Sequence, residues 1–349
     1  MSKTVRLSTF AGVVTGFAMM AAPAMAQQSV EQFYHGKTIN MIIGTGASAG
    51  AVGSYPRTIQ RVISKHIPGN PTLVVQNMPG AGGIKASNYI YGTAPQDGTV
   101  WGFITRGFVL APLLKYPSAA FDPTKFQWIG SPARSISVGE VWTASSPIRT
   151  IQDAMKQELI IGATSGGQDT VVFPTMLNRF IGTKFKIVPG YKSSGDVDLA
   201  MEKGEMHGKI GVTWTSLNSG RTVDWVKDKT VTIIVQFGLT PDPDVPANVP
   251  VALDLAKTPE DRQAMEVICT PTEMGYPSFM GPGVPADRVA AIRAAYTATL
   301  KDPEFVALAE KQSLDITPIP GEEIAKIVKR LYALPPEAVA RASELLQKD

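Results

Sequence analysis

Along this chain a buried-strand pattern repeatedly runs straight into a glycine-rich loop and then a helix, which limits the fold more than any other feature. Residues 38–43 (Thr-Ile-Asn-Met-Ile-Ile) lead into the small-residue stretch 44–54, and Pro56 opens a helix with Ile59, Val62 and Ile63 on one face. The pattern recurs at once: strand 72–75, glycine loop 77–83, helix 84–91, then strand 99–105 meeting Arg106. Segments 126–130 and 138–142 read as strands crossing into a second lobe. There the grammar returns as strand 159–162, loop 163–169 and helix 171–181, then as strand 185–188, loop 190–195 and helix 197–203. Strands 209–214 and 231–237 follow, and three helical stretches, 286–300, 321–332 and 336–346, close the chain. Strands alternating with helices at this spacing predict α/β lobes with parallel sheets covered on both faces.

The first 26 residues have the three parts of an export signal. Lys3 and Arg6 form the positive start, residues 10–22 the apolar run, and Ala24-Met25-Ala26 the cleavage site. Cleavage after Ala26 and a periplasmic location are therefore expected. No later stretch approaches the roughly 20 consecutive apolar residues of a membrane span, so no membrane insertion of the mature chain is expected. Removing Lys3 and Arg6 lowers the formal charge of +3 by two, leaving no case for nucleic acid as a partner. The distribution is more telling, for residues 32–96 contain no acidic side chain but include Lys37, Arg57, Arg61, Lys65 and Lys85. A field of one sign over one part of the protein favours a small anion there. Cys269 is the single cysteine, and His35, His66 and His207 lie far apart, so neither a disulfide nor a metal site is expected, and no cofactor.

In open parallel sheets, ligands sit outside the carboxyl ends of the strands, where unpaired helix N–H groups suit a carboxylate or phosphate. Loops 44–54, 163–170 and 191–196 are all rich in small residues that let a ligand reach the backbone. Three enzyme readings of the first loop compete. Gly44-x-Gly46-x-x-Ala49 matches a relaxed dinucleotide fingerprint, but the first acid that follows is Asp97, far beyond the expected ribose partner. Gly46-Ala47-Ser48-Ala49-Gly50 fits a nucleophile elbow with Ser48 as nucleophile and His66 or His207 as base, yet the pattern fixes only three positions in a small-residue stretch. A phosphate-gripping loop fails, since no Gly-Lys-Ser or Gly-Lys-Thr closes it.

Three runs carry a resemblance: Val75-Gln76-Asn77-Met78-Pro79-Gly80-Ala81-Gly82-Gly83, Ala94-Pro95-Gln96-Asp97-Gly98-Thr99 and Pro282-Gly283-Val284-Pro285. In this order the chain resembles the tripartite tricarboxylate transporter receptors, the Bug-type periplasmic solute-binding proteins. The resemblance implies a type II periplasmic-binding-protein fold, two α/β lobes joined by a two-strand hinge with the ligand cleft between them. Residues 27–127 and 237–349 would form lobe I and 128–236 lobe II. It also implies a small carboxylate ligand (a di- or tricarboxylate or an aromatic acid), membrane transporter subunits as partners, a monomeric receptor and no enzymatic activity. Carried over by position, the first-lobe grip falls on Thr45, Gly46, Ala47, Ser48, Ala49, Gly50 and Ala51. The second-lobe grip falls on Ser165, Gly166, Gln168, Asp169 and Thr170, with Tyr191 and Ser193 nearby.

One departure bears on the ligand. The family's first loop usually carries an aspartate where this chain most simply has Gly53, and losing a partner for an ammonium argues against an amino acid. Arg106, directly after the third strand of the basic lobe, pulls the same way, since a guanidinium can hold a carboxylate bidentately. Trp142, Trp214 and Tyr191 are candidates to wall an aromatic ring. The leading expectation is a receptor that captures an organic acid and closes by hinge motion; a secreted hydrolase using Ser48 and a receptor serving signalling are the alternatives. Placing an anion among the loop donors, Ser48→Asp, is expected to abolish acid binding without unfolding the protein. Unchanged affinity by calorimetry would count against the loop, and stoichiometric fluorophosphonate labelling at Ser48 would favour the hydrolase.

Overall fold

The computed structural model describes Met1 and residues 28–46, 50–164, 168–218 and 220–347. The expected export signal therefore lies outside the described residues. Among those residues, eleven strands form two sheets: β1 (Thr38–Ile43), β2 (Thr72–Asn77), β3 (Val100–Phe103), β4 (Gln127–Ser131), β5 (Ser137–Trp142), β6 (Leu159–Gly162), β7 (Phe185–Val188), β8 (Gly208–Thr213), β9 (Val231–Phe237), β10 (Ser278–Met280) and β11 (Ile319–Pro320). The first sheet runs in the order β11-β4-β10-β3-β1-β2 and the second β7-β6-β8-β5-β9. The chain thus passes from the first sheet to the second through residues 132–136.

Both sheets are mixed, where the strand–helix grammar predicts parallel ones. β1 is parallel to β2 and β3, and β6 to β7 and β8. β10 instead runs antiparallel to β3 and β4, and β5 antiparallel to β8 and β9. The reason is topological. Strands built by local strand–loop–helix units all end at the cleft, whereas β5 and β10 each enter their sheet from the other lobe and so begin there. Sequence periodicity sees one strand at a time and carries no such information.

The cores follow from the same arrangement. One apolar cluster lies in the first lobe around Ile39, Tyr55, Ile59, Trp101 and Phe103, and a smaller one in the second around Val138, Val212 and Trp225. A third is shared: Phe108 and Trp128 belong to the same continuous cluster as Ile161, Phe173 and Phe237. The rings of Phe173 and Phe237 stack at 4.3 Å, and Phe126 and Phe279 meet at the same separation. Helices Pro259–Cys269 and Pro336–Gln347 pack on each other and on helix Asp169–Phe180, covering this shared core. None of the described helices is long and apolar enough to cross a membrane.

The motifs that carried the resemblance are scaffolding. Asn77 Nδ2 donates to the Thr45 carbonyl at 2.7 Å, while Arg57 donates to Asn77 Oδ1 (2.9 Å) and to the Gly53 carbonyl (2.7 Å), so the end of β2 clamps the loop after β1. Asp97 Oδ1 accepts from the N–H and hydroxyl of Thr99, closing the turn into β3. Gln96 Oε1 accepts from Gly283 N–H at 3.0 Å, which fastens the second motif to the third.

A charged cluster is buried within the second lobe. Lys209 Nζ, on β8, donates to Asp198 and to Ser194 Oγ (2.9 Å) and lies 3.2 Å from Glu140 Oε1, on β5. Two carboxylates share one ammonium. Burial pushes the Glu140 carboxyl up to about 7, outweighing the pull of Lys209, and Asp198 adds to the rise; Lys209 is itself raised by the two acids despite burial. An acid raised in the folded state stabilises most below its unfolded value of 4.5, and that contribution is lost as pH climbs through about 7. Thermal denaturation of the wild type and Glu140→Gln between those two values should therefore show the wild type losing stability relative to the variant as pH rises. Parallel pH profiles would mean that Glu140 titrates alike in the folded and unfolded states, so that its carboxyl is not raised by folding.

Candidate functional site

Strand ends from both sheets converge on one cleft. Gly44, Thr45 and Gly46 follow β1, Pro79, Gly80 and Gly82 follow β2, and Ile104, Thr105 and Arg106 follow β3, forming one wall of a cavity of about 300 Å³. The opposite wall is Thr164 after β6, Gln168, Asp169 and Thr170 at the start of helix Asp169–Phe180, residues 191–194 after β7, and Gly211, Val212, Thr213 and Ser216 at the end of β8. Val52, Gly275 and Tyr276 complete it.

Two helix starts face this space without side-chain caps. Helix Ala51–Val62 begins at Gly50, whose φ of 58° is a left-handed conformation that glycine adopts without strain. Because that break sets the start, the helix opens five residues before Pro56, and the proline lies inside it. Gly53 and Ser54 N–H return to the Gly50 carbonyl, which leaves the first-turn groups of Ala51 and Val52 without a helical partner. Helix Asp169–Phe180 likewise begins after Gln168 with no side-chain cap, and the N–H groups of Asp169 and Thr170 have no partner among the described residues. Gly211 makes this approach possible: a Cβ there would lie 2.4 Å from the Asp169 carbonyl oxygen. The third helix at the cleft, Ser194–Glu202, is capped by Ser193 Oγ, which accepts from Asp196 N–H. Two bare helix starts from opposite lobes give the cavity a positive field and free donors, an environment for an anion.

Arg106 is 4% exposed, and its Nη protons are already committed. Nη1 donates to the carbonyls of Ser135 and, at 3.4 Å, Thr272; Nη2 donates to Ser137 Oγ (2.7 Å) and Asp169 Oδ2 (3.0 Å). Ser137 Oγ also donates to Asp169 Oδ2 at 3.0 Å. The carboxylate that Arg106 holds is thus the protein's own, contributed by the second lobe. Other ties across the cleft are Tyr276 hydroxyl to Thr213 Oγ1 (3.1 Å) and Thr215 Oγ1 to Asp315 Oδ2 (3.1 Å). Thr164 and Thr170 join their hydroxyls at 2.8 Å and fix the loop before the helix. Thr45 Oγ1 is buried at the cavity wall with no hydrogen-bond partner among the described residues.

Of the residues expected at the site, Thr45, Gly46, Arg106, Gln168, Asp169, Thr170, Tyr191 and Ser193 line the cavity. Gly50 and Ala51 do not line it themselves: they form the helix start whose next residue, Val52, does, and the Ala51 side chain packs into the first-lobe core. Ala47, Ser48, Ala49, Ser165 and Gly166 lie outside the described residues. Trp142 and Trp214 pack against the second-lobe core instead of the cavity, Trp142 edge-on to Trp225 at 5.0 Å. Lys192 and the end of β8 were missed, although the carboxyl-end rule that identified three other loops applies equally to β8. Gly275 and Tyr276 give no local signal, for they arrive from a distant part of the chain.

No family model matches the chain. A curated relative, the UPF0065 protein in the gbd 5' region of Cupriavidus necator, is 30% identical over 198 residues, 53% of this chain and 57% of that protein, so the match spans little more than half of the relative's length. A TctC solute binding protein from Polaromonas superposes with a TM-score of 0.59 at 16% identity, covering 87% of this chain and 98% of that one. Rpa4515 of R. palustris, solved with adipate, gives 0.62 at 19% identity over 88% and 97%. The fold is that of the periplasmic binding proteins. With the curated relative, it supports the resemblance to the tripartite tricarboxylate receptor family that the three motifs carry.

Replacing Arg106 by Met should cost roughly 3 kcal/mol of unfolding free energy, because it strands Asp169 and two buried carbonyls. Urea denaturation measures this. A cost under about 1 kcal/mol would mean that the lobes are held by other contacts.

Proposed function

We propose that this protein is a solute-binding receptor that captures a small organic carboxylate between its lobes and delivers it to the membrane subunits of a tripartite transporter. The observation that carries the reading is the pair of uncapped helix starts, one per lobe, facing a single cavity of about 300 Å³. Backbone donors fixed by strand and helix need no reorganisation to receive an anion, and they are wasted without one. Closure of the lobes removes water and strengthens each hydrogen bond to the ligand. Export to the periplasm fits the amino-terminal signal pattern, and the adipate bound by Rpa4515 is a solute of the proposed class.

The residues present give little support to hydrolysis. None of the described cavity-lining residues is a histidine. His66 lies just past the far end of helix Ala51–Val62, about 20 Å from its start at 1.5 Å per residue, and pairs with Asp302 at 2.8 Å. His207 precedes β8, roughly 20 Å of strand from the end that lines the cavity. Cys269 is wholly buried, and burial pushes its thiol up, away from the nucleophilic thiolate.

Thermal denaturation of the mature protein against some tens of small acids tests the proposal, since a ligand at about 100 times its Kd stabilises by about 2.7 kcal/mol. Stabilisation confined to carboxylates is the expected result. A folded protein that responds to none of them would overturn the reading.

A further inference from the structure

Resting on the receptor reading, we propose that Lys192 and Ser194 form a second anion subsite in the second lobe, which makes a dicarboxylate, held at both ends, the ligand class. The buried Lys209 cluster serves this subsite by setting the direction of the Ser194 hydroxyl.

Charge in the cavity is the first argument. The lining contains two cations, Arg106 and Lys192, and one carboxylate, Asp169. Arg106 is neutralised by Asp169 at 3.0 Å, and its four Nη protons already meet four acceptors. Lys192 makes no ion pair or hydrogen bond among the described residues, so the net charge of the lining is its ammonium. One carboxylate is accommodated by the bare helix starts. A second requires a further positive group, and Lys192 supplies it.

Hydroxyl chemistry is the second argument. A serine hydroxyl has one proton to donate and lone pairs to accept. Lys209 is an ammonium with donors only, and its Nζ lies 2.9 Å from Ser194 Oγ, so Ser194 must accept there. Its own proton then points elsewhere and meets no acceptor among the described residues, while the residue lines the cavity beside Lys192. Lys209 is held in place by Glu140 and Asp198 on its other sides. A network that presents Ser194 as a donor explains why a buried ammonium stands behind this loop, where an apolar side chain would fill the space at less desolvation cost.

Calorimetry of succinate, glutarate and adipate, each against its own monoamide, on the wild-type mature protein and on Lys192→Gln and Ser194→Ala, tests the proposal. The wild type should prefer at least one diacid over its monoamide by about tenfold or more, the worth of one charge-assisted hydrogen bond. Each variant should collapse that ratio while leaving monoamide affinity within about twofold, and Lys192→Arg should retain it. Lys192 is exposed, so its substitution leaves the fold intact; Ser194→Ala removes one of the three partners of the buried Lys209 ammonium, and urea denaturation of that variant establishes that it is folded under the conditions of the calorimetry. A wild-type ratio near one, or a ratio that the variants leave unmoved, overturns the subsite alone. Binding of aromatic or other monoacids with no diacid bound does the same. Silence toward every acid of the wider panel overturns the receptor reading as well.

Discussion

A buried guanidinium whose four Nη protons are all taken up by the protein is the constraint around which the cleft is built. Arg106 enters from the first lobe, and its acceptors come from the crossover (Ser135), the second lobe (Ser137 at the start of β5, and Asp169) and the segment before β10 (Thr272). A buried cation must have its partners, so these four pieces of chain are compelled to meet at one point. That meeting places the start of helix Asp169–Phe180 opposite the loops after β1 and β3, and the cavity is the space left between them. Tyr276 and Thr215 add lighter ties across the same gap. Hydrogen bonds at the floor, together with the shared apolar core beneath, make the relation between the lobes a matter of specific contacts instead of a bare two-strand linkage.

Division of labour between motif and site follows from this. The runs most recognisable in the sequence do mechanical work: Asn77 and Arg57 set the loop after β1, and Gln96 binds the turn at Gly283. The cavity wall is rich in glycine, serine and threonine, whose backbone N–H groups and small hydroxyls nearly any small residue can provide. Under the subsite proposal, discrimination among acids falls to Lys192 and Ser194.

Much of the fold was legible because the units that make it are local. A strand, its glycine loop and the following helix are specified within about 30 residues, and apolar periodicity reports them directly. The loops after β1, β6 and β7 were therefore identifiable as cleft loops from sequence, and they do meet at the cavity. The helix starts read at 84, 286, 321 and 336 stand, while those at the cleft loops were placed a few residues late, as where Pro56 reads as an opening signal and Gly50 is the actual break. Trp142 and Trp214 looked like ring walls but are core, because a large aromatic next to a strand end serves packing as readily as binding.

By itself, the sequence determined the α/β grammar, the concentration of small residues at strand ends and the basic bias of the first lobe. All of these depend on residue type and short-range order. Only the tertiary structure decided the direction of β5 and β10, the joining of Gly275 and Tyr276 to the cavity and the use to which Arg106 is put. Arg106 finds Ser137 at a separation of 31 residues, Asp169 at 63 and Thr272 at 166. Whether a charge is free for a ligand or consumed within the protein depends on which distant groups the fold brings within hydrogen-bonding distance, and no local pattern encodes that.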